Sequence, residues 1–245
     1  MGRSPRRQRP ATRHWRWLRW VLAAVLVAAV ADGLYLATLW PDWVRLAAGP
    51  IPKSRFIRAY EAERAADPAL PPLRWRTVPL AHIAPVMRRV VVIAEDSRFW
   101  RHEGVDTEAI REAVGHNLER GRVAYGASTI SQQTAKNLFL SGARDPLRKW
   151  HELLLTLAME RNLRKAQILE IYLNVAEFGP GVFGVEAAAR LYFGVTAAEL
   201  TPDQAVSLAA SLPSPRLHNP ATATRVFEKR RERIARHLAA AARRS

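Results

Sequence analysis

Apolar positions recur every three to four residues through most of the second half of this chain, and that spacing predicts helices. Asp106 or Thr107 can cap a helix carrying Ile110, Val114 and Leu118 inward, stopped by Gly121. Ser128 can cap a second, running toward Phe139. Pro146 suits the first turn of a third, which reaches Glu160 with Leu147, Leu154, Leu157 and Ala158 on its inner face. Lys165 to Asn174 reads as a fourth, with Ile168, Ile171 and Val175 on one side, and Val182 to Phe193 as a fifth. Thr201-Pro202-Asp203-Gln204 is a capping box opening a sixth that Pro213 ends. Arg225 to Ala241 gives a last amphipathic helix with Phe227, Ile234 and Leu238 on its apolar stripe. Upstream, Val86 to Ala94 is an apolar run that suits a strand or a buried helix equally. No internal repeat is visible, and the fold class is mainly α.

The pattern changes near the N-terminus. Val21 to Leu39 is mostly Ala, Val and Leu, with Trp20 before it and Trp40 and Trp43 after it. At about 1.5 Å per residue it spans a hydrocarbon core of roughly 30 Å. Seven arginines and no acid occupy residues 1–19, which predicts a cytoplasmic N-terminus for a single transmembrane helix. Asp32 is the one costly residue, and it lies toward the distal end. Ala29-Val30-Ala31 also fits a cleavable signal peptide. The apolar run continues from Gly33 to Leu39 and ends in tryptophan, which favours a retained anchor; either reading exports the rest of the chain. The arginine flank argues against a buried helix of a soluble protein.

Residues 41–82 are punctuated by Pro41, Pro50, Pro52, Pro68, Pro71, Pro72 and Pro79, as in a connecting region, with one helix over Lys53 to Ala66. The resulting division is 1–19 basic tail, 20–40 anchor, 41–74 connection, 75–222 main domain and 223–245 basic amphipathic helix. Among 245 residues there is no cysteine, which excludes disulfides and thiolate metal sites. The net charge is +16, and the seven N-terminal arginines leave +9 for the rest. Such an excess favours an anionic partner: nucleic acid, an anionic bilayer or a phosphorylated substrate.

Five polar signatures interrupt the helical pattern. Glu95 and Asp96 follow the apolar Val90 to Ala94, where partial burial raises a carboxylate toward the range useful for proton transfer. A lone acidic pair there more often bonds backbone amides. On a helix starting near Ser128, Thr129, Gln133 and Lys136 share one face and form a polar stripe bearing a cation. The ordinary reading is a solvated face, although glycine, hydroxyls and paired glutamines make it an indifferent helix. Arg148 and Glu152 are four apart, the spacing of a surface ion pair. Lys165 to Asn174 is mostly scaffold, and Gly179, Gly181 and Gly184 permit tight turns. His102, His116, His151 and His218 follow no metal-ligand spacing, and nucleotide-binding and serine-hydrolase signatures are absent.

Taken in order, these signatures resemble one family. Glu-Asp-x-x-Phe-x-x-His-x-Gly (95–104) is followed by Gly-x-Ser-Thr-Ile-Ser-Gln-Gln-x-x-Lys-Asn (126–137) and Arg-Lys-x-x-Glu (148–152). Lys-x-x-Ile-Leu-Glu-x-Tyr-Leu-Asn (165–174) comes next, and Gly181, Gly184, Ala187, Ala188 and Tyr192-Phe193-Gly194 close the set. Residues 75–220 are similar to the family 51 glycosyltransferases, the peptidoglycan glycan-chain polymerases, and to their short one-anchor branch, the monofunctional biosynthetic peptidoglycan transglycosylases. Val195 departs from the pattern, standing where the family often has lysine.

The resemblance implies a lysozyme-like glycosyltransferase domain behind a single N-terminal transmembrane helix in the bacterial inner membrane, with the catalytic domain periplasmic. It implies transfer of a lipid-pyrophosphate-linked glycan to the 4-hydroxyl of lipid II, inverting to a β-1,4 linkage and releasing undecaprenyl diphosphate. Glu95 would be the general base and Glu152 a second essential carboxylate, orienting cations or a divalent ion such as Mg; no protein metal site is implied. Asp96, Phe99 and His102 would line the Glu95 site. Ser128, Thr129, Gln133, Lys136 and Asn137 would bind substrate, and Arg148 and Lys149 would hold pyrophosphate. Partners would be lipid II, the growing glycan, the membrane and other cell-wall synthesis proteins, not nucleic acid. A lytic relative would use the glutamate as an acid, because a sugar leaving group must be protonated. A basic membrane-anchored scaffold explains the charge and leaves the motifs unexplained. Peptide cross-linking is not expected, since Ser-x-x-Lys and Lys-Thr-Gly are lacking.

Overall fold

The computed structural model describes residues 12–121, 126–140, 142 and 146–243. They fall into two units, 1–40 and 41–245. The first contains helix α1 (Thr12–Leu39), 28 residues long and apolar enough to cross a bilayer. Most of its large apolar side chains, from Trp15 to Leu34, are exposed, unlike those of a core helix.

The second unit is mainly α, and its core contains segments expected to be peripheral. Residues 41–74 are not a plain connection. They hold α2 (Trp43–Ala48), α3 (Arg55–Ala66), capped by Ser54, and the start of β1 (Arg74–Trp75). Ile57 and Tyr60 of α3 are buried against Phe183, with Leu73 and Trp75 packed on them. The prolines punctuate this stretch, but its apolar side chains belong to the common core, and the boundary at 74/75 marks no structural break. The C-terminal helix α11 (Arg225–Ala242) is likewise part of this unit, burying Phe227 and Ile234.

The ambiguous apolar run is helix α4 (Pro85–Glu95), with proline in its first turn. It packs against α10 (Pro202–Ser211) and α11, burying Met87, Val90, Val91 and Val92 and leaving Arg89 exposed. By contrast α5 (Thr107–Arg120), capped by Asp106 and stopped by left-handed Gly121, buries nothing. Ile110, Val114 and Leu118 are 39%, 52% and 77% exposed, correcting the expected inner face. Periodicity shows that a stripe exists, not that something covers it.

Helix α6 (Ile130–Phe139) starts one residue later than expected: Thr129, not Ser128, is the cap, in a reciprocal capping box with Gln132. α6 packs against both α7 (Pro146–Asn162) and α8 (Lys165–Val175). On α7 the buried stripe is His151, Glu152, Leu155, Thr156, Ala158 and Met159, while Leu147 is exposed. The Thr156 hydroxyl donates to the Glu152 carbonyl of the same helix, and Lys136 of α6 acts on the Glu152 carboxylate. The fifth expected helix splits. Val182–Phe183 is strand β3, and α9 (Val185–Phe193) begins after Gly184. At φ +83° a Cβ on Gly184 would lie 2.8 Å from the Asn174 carbonyl oxygen, so only glycine lets the chain turn there. β3 lies between β1, parallel, and β2 (Glu177–Gly179), antiparallel. Asn174 fastens this small sheet to α8: its side chain accepts from Val78 N–H and donates to Val78 O, while its carbonyl accepts from the Trp75 indole.

Candidate active site

Glu95 is the last residue of α4 and is half-buried, facing α6 and α11. Gln133 Nε2 donates to its Oε2 at 2.9 Å. Burial pushes its pKa above the ordinary value; the Gln133 hydrogen bond and the positive charges of Lys136, Arg230 and Arg233 oppose that rise. Glu95 lines a cleft of about 220 Å³ with Ser97, Arg98, Gly126 and Ser128. Gln133, Lys136 and Asn137 line a second, of about 190 Å³, with Tyr172 and Glu177. The Glu95–Gln133 bond joins a residue lining the one to a residue lining the other.

Lys136 links this carboxylate to the third motif. Burial lowers its pKa, and Arg148 and Lys149 lower it further, while Glu152 and Glu95 pull the other way. Its neighbours are therefore both carboxylates and both cations of Arg-Lys-x-x-Glu. Glu152 is buried on the inner face of α7, bonded by Lys149, with Arg148 Nη1 at 3.9 Å. The spacing of a surface ion pair thus conceals an inward-facing acid. A buried cation beside two further cations is poorly placed for packing alone and well placed to meet an anion.

Four of the expected site residues also bind the fold together. Asp96 is buried, and its Oδ2 accepts from Ile130 N–H at 3.0 Å and from His102 Nε2 at 2.9 Å. His102 Nδ1 in turn accepts from Gly104 N–H at 3.1 Å. A ring whose Nδ1 accepts must carry its proton on Nε2, so His102 is the neutral tautomer donating to Asp96. Burial raises the Asp96 pKa, against the lowering by these hydrogen bonds. Phe99 is fully buried, with Lys165 Nζ 4.6 Å from its ring centre. Thr129 is buried and donates to Gly104 O at 2.6 Å while capping α6. Asp96, Phe99, His102 and Thr129 hold the 95–104 loop onto the start of α6, and Asp96 and Thr129 also line the cleft of Glu95. Gly104 completes the junction. At φ +95°, a Cβ there would come within 2.9 Å of Thr156 Cγ2.

Ser128, Gln133, Lys136, Asn137, Arg148 and Lys149 remain accessible in whole or part. Arg230 and Arg233 of α11 join them; both act on Glu95, and Arg230 Nη1 is buried without a protein partner. Helical spacing on α11 hides them among many basic residues, so no sequence signal singled them out. Among the described residues no group of three or more His, Asp and Glu stands together as a metal cluster, and Glu152 is already bonded by Lys149.

A family model described as Transglycosylase matches residues 70–239. The chain belongs to the transglycosylase family. Its mainly α second unit has the lysozyme-like architecture of that family, and it is a glycosyltransferase. The biosynthetic peptidoglycan transglycosylase of Nitrosospira multiformis is 47% identical, over 69% of this chain and 74% of that protein. That of Thiobacillus denitrificans is 41% identical, over 93% of this chain and 97% of its own length. That of Bordetella pertussis is 42% identical, over 86% and 89%.

Proposed function

We propose that this transglycosylase polymerises peptidoglycan glycan strands from lipid-linked precursors at the outer face of the bacterial inner membrane. The observation that carries the reading is the position of Lys136, acting on Glu95 and on the Arg148–Lys149–Glu152 group at once. A base and a cradle for an anion are thereby adjacent.

In this reading the Glu95 carboxylate removes the proton of the acceptor's 4-hydroxyl as that oxygen attacks the anomeric carbon of the donor. The carbon–oxygen bond to pyrophosphate breaks, its electron pair leaves with undecaprenyl diphosphate, and attack opposite that bond inverts α to β. Burial raises Glu95 toward the pKa a base needs near neutrality. Lys136, Arg148 and Lys149 stabilise the charge developing on the diphosphate. An arriving diphosphate favours the charged form of Lys136, which burial and its cationic neighbours disfavour. Ser128 and Asn137 contact the sugars from the two clefts, and Glu152 orients the cations. Arg230 and Arg233 supply further positive charge on the α11 side.

A raised glutamate suits a lytic enzyme equally well, as its acid. The cations decide, since a sugar leaving group needs a proton and a diphosphate needs positive charge. We assign residues 20–40 as a retained anchor with the basic tail cytoplasmic. It holds the domain where a lipid-linked substrate lies.

The test is Glu95→Gln, assayed on labelled lipid II with products sized on a gel. No polymer is expected, with precursor binding and folding intact. Near-normal polymer would remove Glu95 from its role. Soluble fragments released from preformed glycan by the unaltered enzyme, with lipid II untouched, would establish the lytic reading.

A further inference from the structure

Glu95 is the end of a chain of two hydrogen bonds that starts in the core. The Tyr172 hydroxyl donates to Gln133 Oε1 at 3.1 Å, and Gln133 Nε2 donates to Glu95 Oε2 at 2.9 Å. A primary amide is nearly symmetric in shape, and turned over it would set its oxygen against the carboxylate. The carboxylate only accepts and so takes the amide N–H, and Tyr172, donating to the amide oxygen left over, holds the amide in that orientation. Tyr172 is 1% exposed on α8, within a wholly buried turn from Ile171 to Val175, so its direction is fixed by packing. Burial, then the negative charges of Glu95 and Asp96, push its pKa well above the ordinary tyrosine value, so the hydroxyl keeps its proton.

We propose that Tyr172 is a positioning residue for the transfer reaction: it locks the Gln133 amide so that its N–H holds the Glu95 carboxylate toward the acceptor hydroxyl. Gln133 is then occupied at both ends and acts on the base rather than as a free ligand for sugar. The proposal rests on Glu95 being the base. The charged groups facing Glu95 are Lys136 on α6 and Arg230 and Arg233 on α11, with Asp96 next to it in the chain and Tyr172 on α8. Tyr172→Phe leaves all the charged ones in place, so a change in pH profile reports on the amide.

The experiment uses full-length enzyme in detergent and compares Tyr172→Phe, Gln133→Ala and the double variant on lipid II. Tyr172→Phe is expected to lower kcat about tenfold with KM unchanged, the loss of one aligned hydrogen bond to the base. The acid limb of its kcat profile should move to higher pH, since the charged carboxylate loses a stabilising donor. The double variant should be no slower than Gln133→Ala alone. Losses that multiply, or an unmoved profile, would overturn the proposal. So would a fall in rate matched by a fall in melting temperature with the acid limb in place, because that marks a structural role. The Glu95 carboxyl is also titrated without substrate, by NMR on 13C-glutamate with Glu95→Gln as the reference. If Tyr172→Phe raises that pKa while Glu95→Gln still polymerises, the positioning stands and the base assignment fails. If Glu95→Gln is inactive and the titration is unmoved, the base assignment stands and the positioning fails.

Discussion

Thr129→Val keeps the outline of the side chain and deletes its hydroxyl, which separates a structural cap from a substrate ligand. In the native protein that hydroxyl accepts from Gln132 N–H at 3.1 Å and donates to Gly104 O at 2.6 Å, in a residue 2% exposed. Loss of the cap costs about 1–2 kcal/mol. Leaving the buried Gly104 carbonyl short of a partner costs about 1–3 kcal/mol. The two share one group and do not simply add, so the expected loss is about 2–4 kcal/mol. For a unit of about 200 residues that lowers the melting temperature by roughly 4–16 °C. Thr129→Ser keeps both hydrogen bonds and should lose no more than about 1 kcal/mol, the cost of one methyl. Thermal unfolding of the full chain in detergent, with KM for lipid II measured alongside, reads both effects. An unchanged melting temperature with a raised KM would refute the capping argument and return Thr129 to the substrate.

Glu95→Gln carries a second consequence, in stability. A carboxyl whose folded pKa is raised favours folding fully below its unfolded value and loses that contribution as pH rises through the folded value. Glutamine never ionises, so the variant should melt higher than the native enzyme at neutral pH, with the difference vanishing below the ordinary glutamate value of 4.5. Equal melting temperatures across the range would mean that Glu95 carries no buried-charge penalty. On α5, Val114→Ser and Leu118→Ser should each change stability by no more than about 0.5 kcal/mol, because these side chains are 52% and 77% exposed. Denaturant unfolding checks it, and a loss above about 2 kcal/mol from either of them would show that the stripe is packed.

The N-terminal apolar helix was legible without a structure, because a bilayer imposes a length and a composition that 19 residues can display by themselves. Most helices of the second unit were legible too, since capping residues, proline and glycine act within one turn: Asp106, Gly121, Pro146 and the Thr201–Gln204 box all work locally. The order of the five motifs identified the family, because chemistry-bearing side chains at set spacings are improbable by chance.

Tertiary packing decided what those spacings meant. Ile110, Val114 and Leu118 have the period of a buried face and lie exposed, whereas Arg148 and Glu152 have the period of a surface pair and Glu152 is buried. Period describes a helix's own geometry, and burial depends on what lies across from it. Which motif residues bind the fold together is likewise a long-range matter. Asp96 reaches Ile130, Thr129 reaches Gly104 and Tyr172 reaches Gln133, pairs separated by 34, 25 and 39 positions. Arg230 and Arg233 act on Glu95 only because α11 folds back onto α4. A sequence names the donors and acceptors; which of them meet depends on helices that pack against one another from distant parts of the chain.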